Sequence, residues 1–306
     1  PDAVGCRVLR SASARWAAPG YRDPGRKGHP VAQARATGGD QPIRPASTVM
    51  LLRDAAAGLE VFTLQRVVGM AFAGGMTAFP GGGVDPTDID PEIPWTGPDP
   101  RWWGDQWRIG PDAARGQVVA AVRELFEETG ILLAGSESDP GPAGGTPADD
   151  PAGREADRQS VAAHRMSLAQ ALRGLGQRLR ADLLRPWARW INPPGQPRRY
   201  DTYFFVAAVP DGQHAAAMTS EAVTGGWRRP ADVLRAERIG EIGMMPPTIA
   251  MMTDLARAAS VAEVLSTPRE VRPVTPIVLS ANGEVLRVLA DGREIEARRP
   301  RRTENT

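Results

Sequence analysis

Arg123-Glu124-Leu125-Phe126-Glu127-Glu128-Thr129-Gly130-Ile131 is the stretch on which the reading of this chain turns. At about 100° per residue, Glu124, Glu127 and Glu128 share one arc of a helical wheel, while Val118, Val122, Leu125, Phe126 and Thr129 fall opposite. The spacing predicts a helix over 113–130 that buries an apolar stripe, presents carboxylates and stops at a left-handed Gly130. A solvated acidic face is the plain alternative, and three features argue against it. Glu124 and Glu128 repel each other at i, i+4, at a cost of roughly a few tenths of a kcal/mol. Their other i±4 neighbours, Ala120 and Leu132, bring no cation, and only Glu127 has one, in Arg123. All three acids also crowd the helix C-terminus, where the macrodipole disfavours negative charge. Such a helix is frustrated unless something cationic sits against it. Clustered carboxylates without nitrogen or sulfur partners suit a hard divalent ion, Mg²⁺ or Mn²⁺, and make Glu124, Glu127 and Glu128 the candidate metal ligands.

Composition narrows the class. With 306 residues the chain fits one or two domains and can bury a sizeable core. Its 37 basic residues balance 36 acidic ones, so no global field points to nucleic acid. Cys6 is the sole cysteine, which excludes a disulfide framework and a thiolate metal site. The three histidines, His29, His164 and His214, are too widely spaced for a zinc-type cluster. No run of about 18 apolar residues and no secretory h-region occurs, so a membrane partner is not expected and the expected compartment is cytoplasmic.

Along the chain, residues 1–42 are rich in Arg, Ala, Gly and Pro without periodicity and read as a disordered tail. Ala46–Leu52 and Leu59–Gln65 read as paired strands, followed by the glycine-rich segment Gly69–Gly83. Glycine lets backbone approach a ligand closely, although such a run is as easily a turn. Val84–Ala114 is far longer than an ordinary loop and holds Trp95, Trp102, Trp103 and Trp107, which either pack beneath it or stack on a base. Gly135–Gly153 is a linker, and 154–184 reads as an inserted helical segment with Leu172, Leu175 and Leu179 as core contacts. Trp187–Ile191 and Tyr203–Val209 read as strands. Between them, Arg198 and Arg199 are open to two readings, a bidentate phosphate grip or a salt bridge to Asp201. Pro230–Leu234 opens a helix and Ile249–Leu265 reads as another. From Pro268 to residue 298, turn dipeptides between short apolar runs predict a β-hairpin extension, in which no chemistry is read. Residues 299–306 form a basic tail.

The quoted stretch resembles the second half of the Nudix box, R-E-U-x-E-E-x-G-U with U apolar, a match expected by chance on the order of once per million windows. The usual box runs G-x5-E-x7-R-E. Here about thirty residues separate the glycines from the helix, and Arg115 stands where the first glutamate belongs, so that acid is absent or displaced to Asp85 or Asp88. Together with W-I-x-P-P…R-R-Y-D-T-x-F-F from Trp190 to Phe205 and Pro246-Pro247-Thr248, the expanded box resembles the Nudix subgroup that contains the mammalian peroxisomal coenzyme A diphosphatase and its bacterial relatives. Over residues 43–267 this resemblance implies an α/β fold, an α/β/α sandwich around a mixed β-sheet, with inserts at about 84–114 and 135–186. It implies metal-dependent hydrolysis of a nucleoside diphosphate linked to another moiety. Glu127 and Glu128 would bind metal, Glu124 would be a third ligand or position water, and Arg123 would orient Glu127. Glu221 is a candidate extra ligand or base, or else a surface glutamate.

A coenzyme A signature of the superfamily, L-L-T-x-R-[SA]-x3-R-x3-G-x3-F-P-G-G, matches in register at Arg66, Gly75, Phe79, Pro80, Gly81 and Gly82. Ala71 replaces its second arginine and Val67 its small residue. Arg66, Gly75, Phe79, Gly81, Gly82 and Arg199 are thus the candidate substrate contacts. The implied partner is a small nucleotide, first of all coenzyme A or an acyl-coenzyme A, with ADP-ribose, NADH or nucleoside triphosphates as rivals. A homodimer is left open. A degenerate module that binds without cutting is the reading from another class.

Overall fold

The central strands of the sheet are apolar on both faces, and that settles the layering. In the computed structural model, Val49 and Leu51 of one strand enter one core with Phe62, Leu64 and Phe205, while Met50 and Leu52 enter a second core with Val61, Phe204 and Val206. Alternation thus sends successive side chains to two different helical layers. The structure describes residues 42–67, 74–136, 151–196, 198–217, 219, 222–281 and 285–298. The expected tails, most of the linker, Ala71 and Glu221 lie outside these residues.

The chain begins with a long hairpin, β1 (Ile43–Ala55) and β2 (Gly58–Arg66), longer than its apolar runs because Arg53 and Glu60 pair across it at 2.6 Å. Two three-residue strands follow, β3 (Met76–Ala78) on β2 and β4 (Gly81–Gly83) on β1. The tryptophan-rich insert contains a 3-10 turn at Pro86–Ile89, β5 (Trp95–Thr96) and α1 (Pro100–Trp107). Next come α2 (Pro111–Thr129), β6 (Ala134–Ser136), α3 (Pro151–Ala162), α4 (Leu168–Gly174) and β7 (Gln177–Arg180). The expected helical segment therefore ends at Gly174. Leu172 is buried as expected, but Leu179 reaches the core from a strand paired to both β5 and β6. β8 (Arg185–Ile191) and β9 (Arg199–Ala208) return to the main sheet, and β10 (Ala222–Arg228) joins β2.

α5 (Pro230–Arg238) leads to β11 (Gly243–Met244), α6 (Pro246–Leu255) and α7 (Val261–Ser266). The expected single helix over 249–265 is thus two. Ser260 caps α7 by accepting from the Glu263 N–H, and the Val261 N–H donates to Asp54, so the chain bends where β1 offers a carboxylate. β12 (Pro273–Val274) closes the main sheet, in the order β11-β3-β2-β1-β9-β8-β12. β1 and β9 run parallel, which makes the sheet mixed. The extension is a three-stranded antiparallel sheet of β13 (Ile277–Ala281), β14 (Val285–Ala290) and β15 (Arg293–Arg298), one strand more than a hairpin. α1 and α2 pack on the first face of the main sheet, with α5, α6 and α7 on the other. No helix among the described residues is long and apolar enough to cross a membrane.

Candidate active site

α2 starts on Pro111, whose missing N–H costs nothing at the first helical position, and ends at Gly130, φ 75°, whose N–H donates to Phe126 O. Val118, Val122, Leu125, Phe126 and Thr129 are all buried. The opposite arc is not a solvated face either. Arg123 is only 3% exposed and bonds Asp88, Glu124 and Glu127. Its Nε and Nη2 donate to Asp88 at 3.0 Å, its Nη2 to Gly83 O at 2.7 Å, and its Nη1 to Glu124 Oε1 at 2.9 Å and Glu127 Oε1 at 3.0 Å. Burial opposes charge on the guanidinium, but the Asp88 hydrogen bonds and the surrounding carboxylates outweigh it and raise its pKa. Of the two candidates for the displaced box acid, Asp88 is therefore the one that engages the helix. Arg115, at the position of the missing glutamate, pairs with Asp112 instead.

A second cation relieves the crowding at the helix end. The last carbonyls of any helix lack intrahelical donors, and Arg158 of α3 donates from Nη1 to Glu127 O at 2.6 Å. Glu155 holds that guanidinium in place at 2.6 Å. Positive charge at a helix C-terminus is favourable, so the helical insert supplies part of what the acidic helix lacks locally. No sequence pattern marked Arg158.

The glycine strand lies directly against the carboxylates. Gly81 N–H donates to Glu128 Oε2 at 2.8 Å. A Cβ on Gly82 would stand 2.4 Å from Glu124 Oε1, whereas a Cβ on Gly81 would meet Ser47 O of β1 at 2.4 Å. Gly81 thus permits the strand pairing, and Gly82 makes room for a site carboxylate. Burial, against the pull of Arg123, pushes the Glu124 carboxyl up to about 7.

Glu124, Glu127, Glu128 and Gly81–Gly83 line one cavity of about 860 Å³, within the range of small-molecule sites. Arg66 and Phe79 also line it; Gly75 does not, and instead closes the turn after β2 by donating to Arg66 O with φ 75°. Arg199 is buried behind the cavity and donates to Asn192 O at 3.1 Å, while its exposed neighbour Arg198 lines the cavity. Asp201 pairs with Arg189 at 2.7 Å. None of the four insert tryptophans lines the cavity. Trp103 and Trp107 are buried among Tyr203 and Phe205, so the insert packs beneath itself.

As a metal site, the donor set is all oxygen, which fits a hard divalent cation. Among the described residues no three carboxylates already converge on one point; Glu124 and Glu127 share Arg123 Nη1, and Glu128 accepts from the Gly81 N–H. A cation would have to compete with Arg123 for Glu124 and Glu127.

Residues 109–256 match the family model described as the NUDT19 Nudix domain. The chain is 27% identical to a Caenorhabditis elegans protein named as a nudix hydrolase, over 74% of this chain and 65% of that protein. It is 29% identical to acyl-coenzyme A diphosphatase NUDT19 of Homo sapiens over 48% of this chain and 40% of that protein. It thus spans less than two thirds of the length of either relative. A solved Nudix hydrolase structure from Alicyclobacillus acidocaldarius superposes with a TM-score of 0.61 at 28% identity, covering 75% of this chain and 98% of the other. With the layered mixed sheet and the glutamate-bearing helix set against its glycine strand, these likenesses identify the fold as the Nudix one and make the chain similar to Nudix hydrolases.

Proposed function

We propose that the protein hydrolyses the diphosphate of coenzyme A or an acyl-coenzyme A, giving 3′,5′-ADP and phosphopantetheine or its acyl form. The observation that carries this reading is that one cavity brings the three box carboxylates and the glycine strand together with Arg66 and Arg198. The printed name of the human relative, an acyl-coenzyme A diphosphatase, supports the substrate class.

In the reaction, the oxygen of water bonds to one phosphorus and the bridging P–O bond breaks. One product takes the hydroxyl and the other the remaining proton. A divalent cation such as Mg²⁺ or Mn²⁺, when bound, neutralises the diphosphate and lowers the pKa of water. Glu127 and Glu128 would hold that cation, and Glu124 would join them or position the water. Arg123 orients Glu124 and Glu127 through its shared Nη1, with Asp88 fixing the guanidinium through Nε and Nη2. Arg66 and Arg198 are the cations suited to substrate phosphates. Arg199 supports the loop through Asn192.

The test is a side-by-side assay of coenzyme A, dephospho-coenzyme A, ADP-ribose and NADH with Mg²⁺ and with Mn²⁺. The expected result is release of 3′,5′-ADP, with coenzyme A ahead of its dephospho form and that lead reduced in Arg198→Ala. Faster cleavage of ADP-ribose or NADH would keep the chemistry and replace the substrate. Binding of these nucleotides without any cleavage would favour a degenerate module.

A further inference from the structure

The C-terminal sheet, in which the turn pattern carries no chemistry, forms one wall of the same cavity. Pro276, Val278, Leu286 and Val288 line it. Register explains how. Val278 pairs with Val288, which pairs with Ile295, so these three form one row across the inner face of β13, β14 and β15. Burial falls along that row. Ile295 and Val288 are 8% and 2% exposed, packed with α5 and α6 in the second core, while Val278 is 41% exposed at the cavity. The sheet is also pinned in place. Arg293 donates to Asp254 at 3.0 Å, and the Arg298 N–H donates to Glu237 at 3.0 Å. Ile277, next to Val278 but on the outer face opposite Leu289, is 62% exposed and does not line the cavity.

We propose that this inner face, at Val278 and Leu286, is the subsite for the apolar acyl limb of a coenzyme A thioester, and that it makes the thioester a better substrate than free coenzyme A. The inference rests on the diphosphatase reading above and adds the limb that the box end leaves unassigned. With the diphosphate at the glycine strand and carboxylates, one limb of the substrate carries further phosphate and calls for cations. Arg66 and Arg198 line the cavity and can meet it. The other limb ends in hydrocarbon and gains from leaving water. The cavity-lining residues of the C-terminal sheet offer it only apolar side chains, and Phe79, Trp190 and Phe204 extend that surface within the cavity.

The experiment compares octanoyl-coenzyme A with coenzyme A in two ways. One readout is kcat/KM with Mg²⁺, and the other is calorimetric binding of octanoyl-coenzyme A in the presence of EDTA. Val278→Asp should lower the octanoyl-to-free preference about tenfold and weaken octanoyl-coenzyme A binding to a similar degree, the scale expected for one apolar side chain's worth of contact. Leu286→Ala, which adds no charge, should shift both in the same direction by about threefold or more. Ile277→Asp, on the outer face, should leave both within about twofold, and melting temperatures should show all three variants folded. Turnover and binding that ignore Val278 and Leu286, or respond equally to Ile277→Asp, would overturn the subsite while leaving the diphosphatase intact. Binding that depends on Val278 in a protein that cleaves no coenzyme A compound would support the subsite and overturn the hydrolase reading. A folded protein that neither binds nor cleaves octanoyl-coenzyme A would overturn both.

Discussion

The two ends of the cavity are built on opposite principles. At the box end, Arg123 is buried with Asp88, Glu124 and Glu127 around it, and almost every contact is a charged hydrogen bond. At the far end, Val278, Leu286 and Val288 present a wall held by packing and by partly exposed ion pairs such as Arg293–Asp254. The first end is intolerant because a buried charge that loses its partner has nowhere to be solvated. The second tolerates loss of its Arg293 ion pair more readily, because that arginine is half exposed and water can take the place of its partner.

The largest contrast should appear in stability. Asp88→Ala leaves the buried Nε edge of Arg123 without its carboxylate, although Glu124, Glu127 and Gly83 O remain, and should cost on the order of 3 kcal/mol in urea unfolding. A loss under about 1 kcal/mol would mean that the box end is not organised by this pair. Next in size is turnover. Glu127→Gln and Glu128→Gln should each lower kcat by on the order of 10²–10³-fold with an unchanged circular dichroism spectrum, comparable to the loss of one preorganised electrostatic group. Near-normal rates in both would remove these residues from the chemistry.

A smaller effect depends on pH. In the metal-free protein the Glu124 carboxyl is raised to about 7 from 4.5. A raised carboxyl contributes stability that is complete below pH 4.5 and lost as pH rises through 7. Glu124→Gln, which cannot ionise, should therefore match the wild type at pH 4.5 and exceed it at pH 8, by at most about 3 kcal/mol. Melting curves in EDTA at the two pH values test this, and a gap that is the same at both would exclude it. The smallest effect belongs to the far end. Arg293→Ala should cost under about 1 kcal/mol, since the pair is half exposed on the arginine side and Arg269 also holds Asp254 at 2.9 Å. A loss as large as that of Asp88→Ala would erase the contrast between the ends.

The frustration of the acidic helix shows how far local reasoning reaches. Spacing predicts that Glu124, Glu127 and Glu128 need a cation beside them and gives Arg123 to Glu127 alone, whereas in the fold Arg123 Nη1 bonds both Glu124 and Glu127. The same reasoning leaves Asp85 and Asp88 equivalent. Only the capped 3-10 turn, in which Asp85 N–H donates to Asp88 Oδ2 at 2.8 Å, orders the loop and aims Asp88 at Arg123. Arg158 is invisible locally because α3 meets α2 across the linker. Of the arginine pair, Arg198 lines the cavity while Arg199 is buried, because β9 begins at Arg199 and turns that side chain inward.

By itself the sequence determined the strand hairpin, the box helix with its buried stripe and glycine stop, the shared acidic arc of that helix and the family resemblance. Each is written in periodicity or in side-chain chemistry within a few turns. Tertiary structure decided the rest: which aspartate completes the ion network, that 177–180 is a strand, that a cap at Ser260 splits the last long helix, and that the C-terminal sheet reaches the cavity. These depend on partners tens to hundreds of residues away, such as Val261 bonded to Asp54. A local pattern records what a segment can bury or donate, while the fold alone supplies what it is buried against.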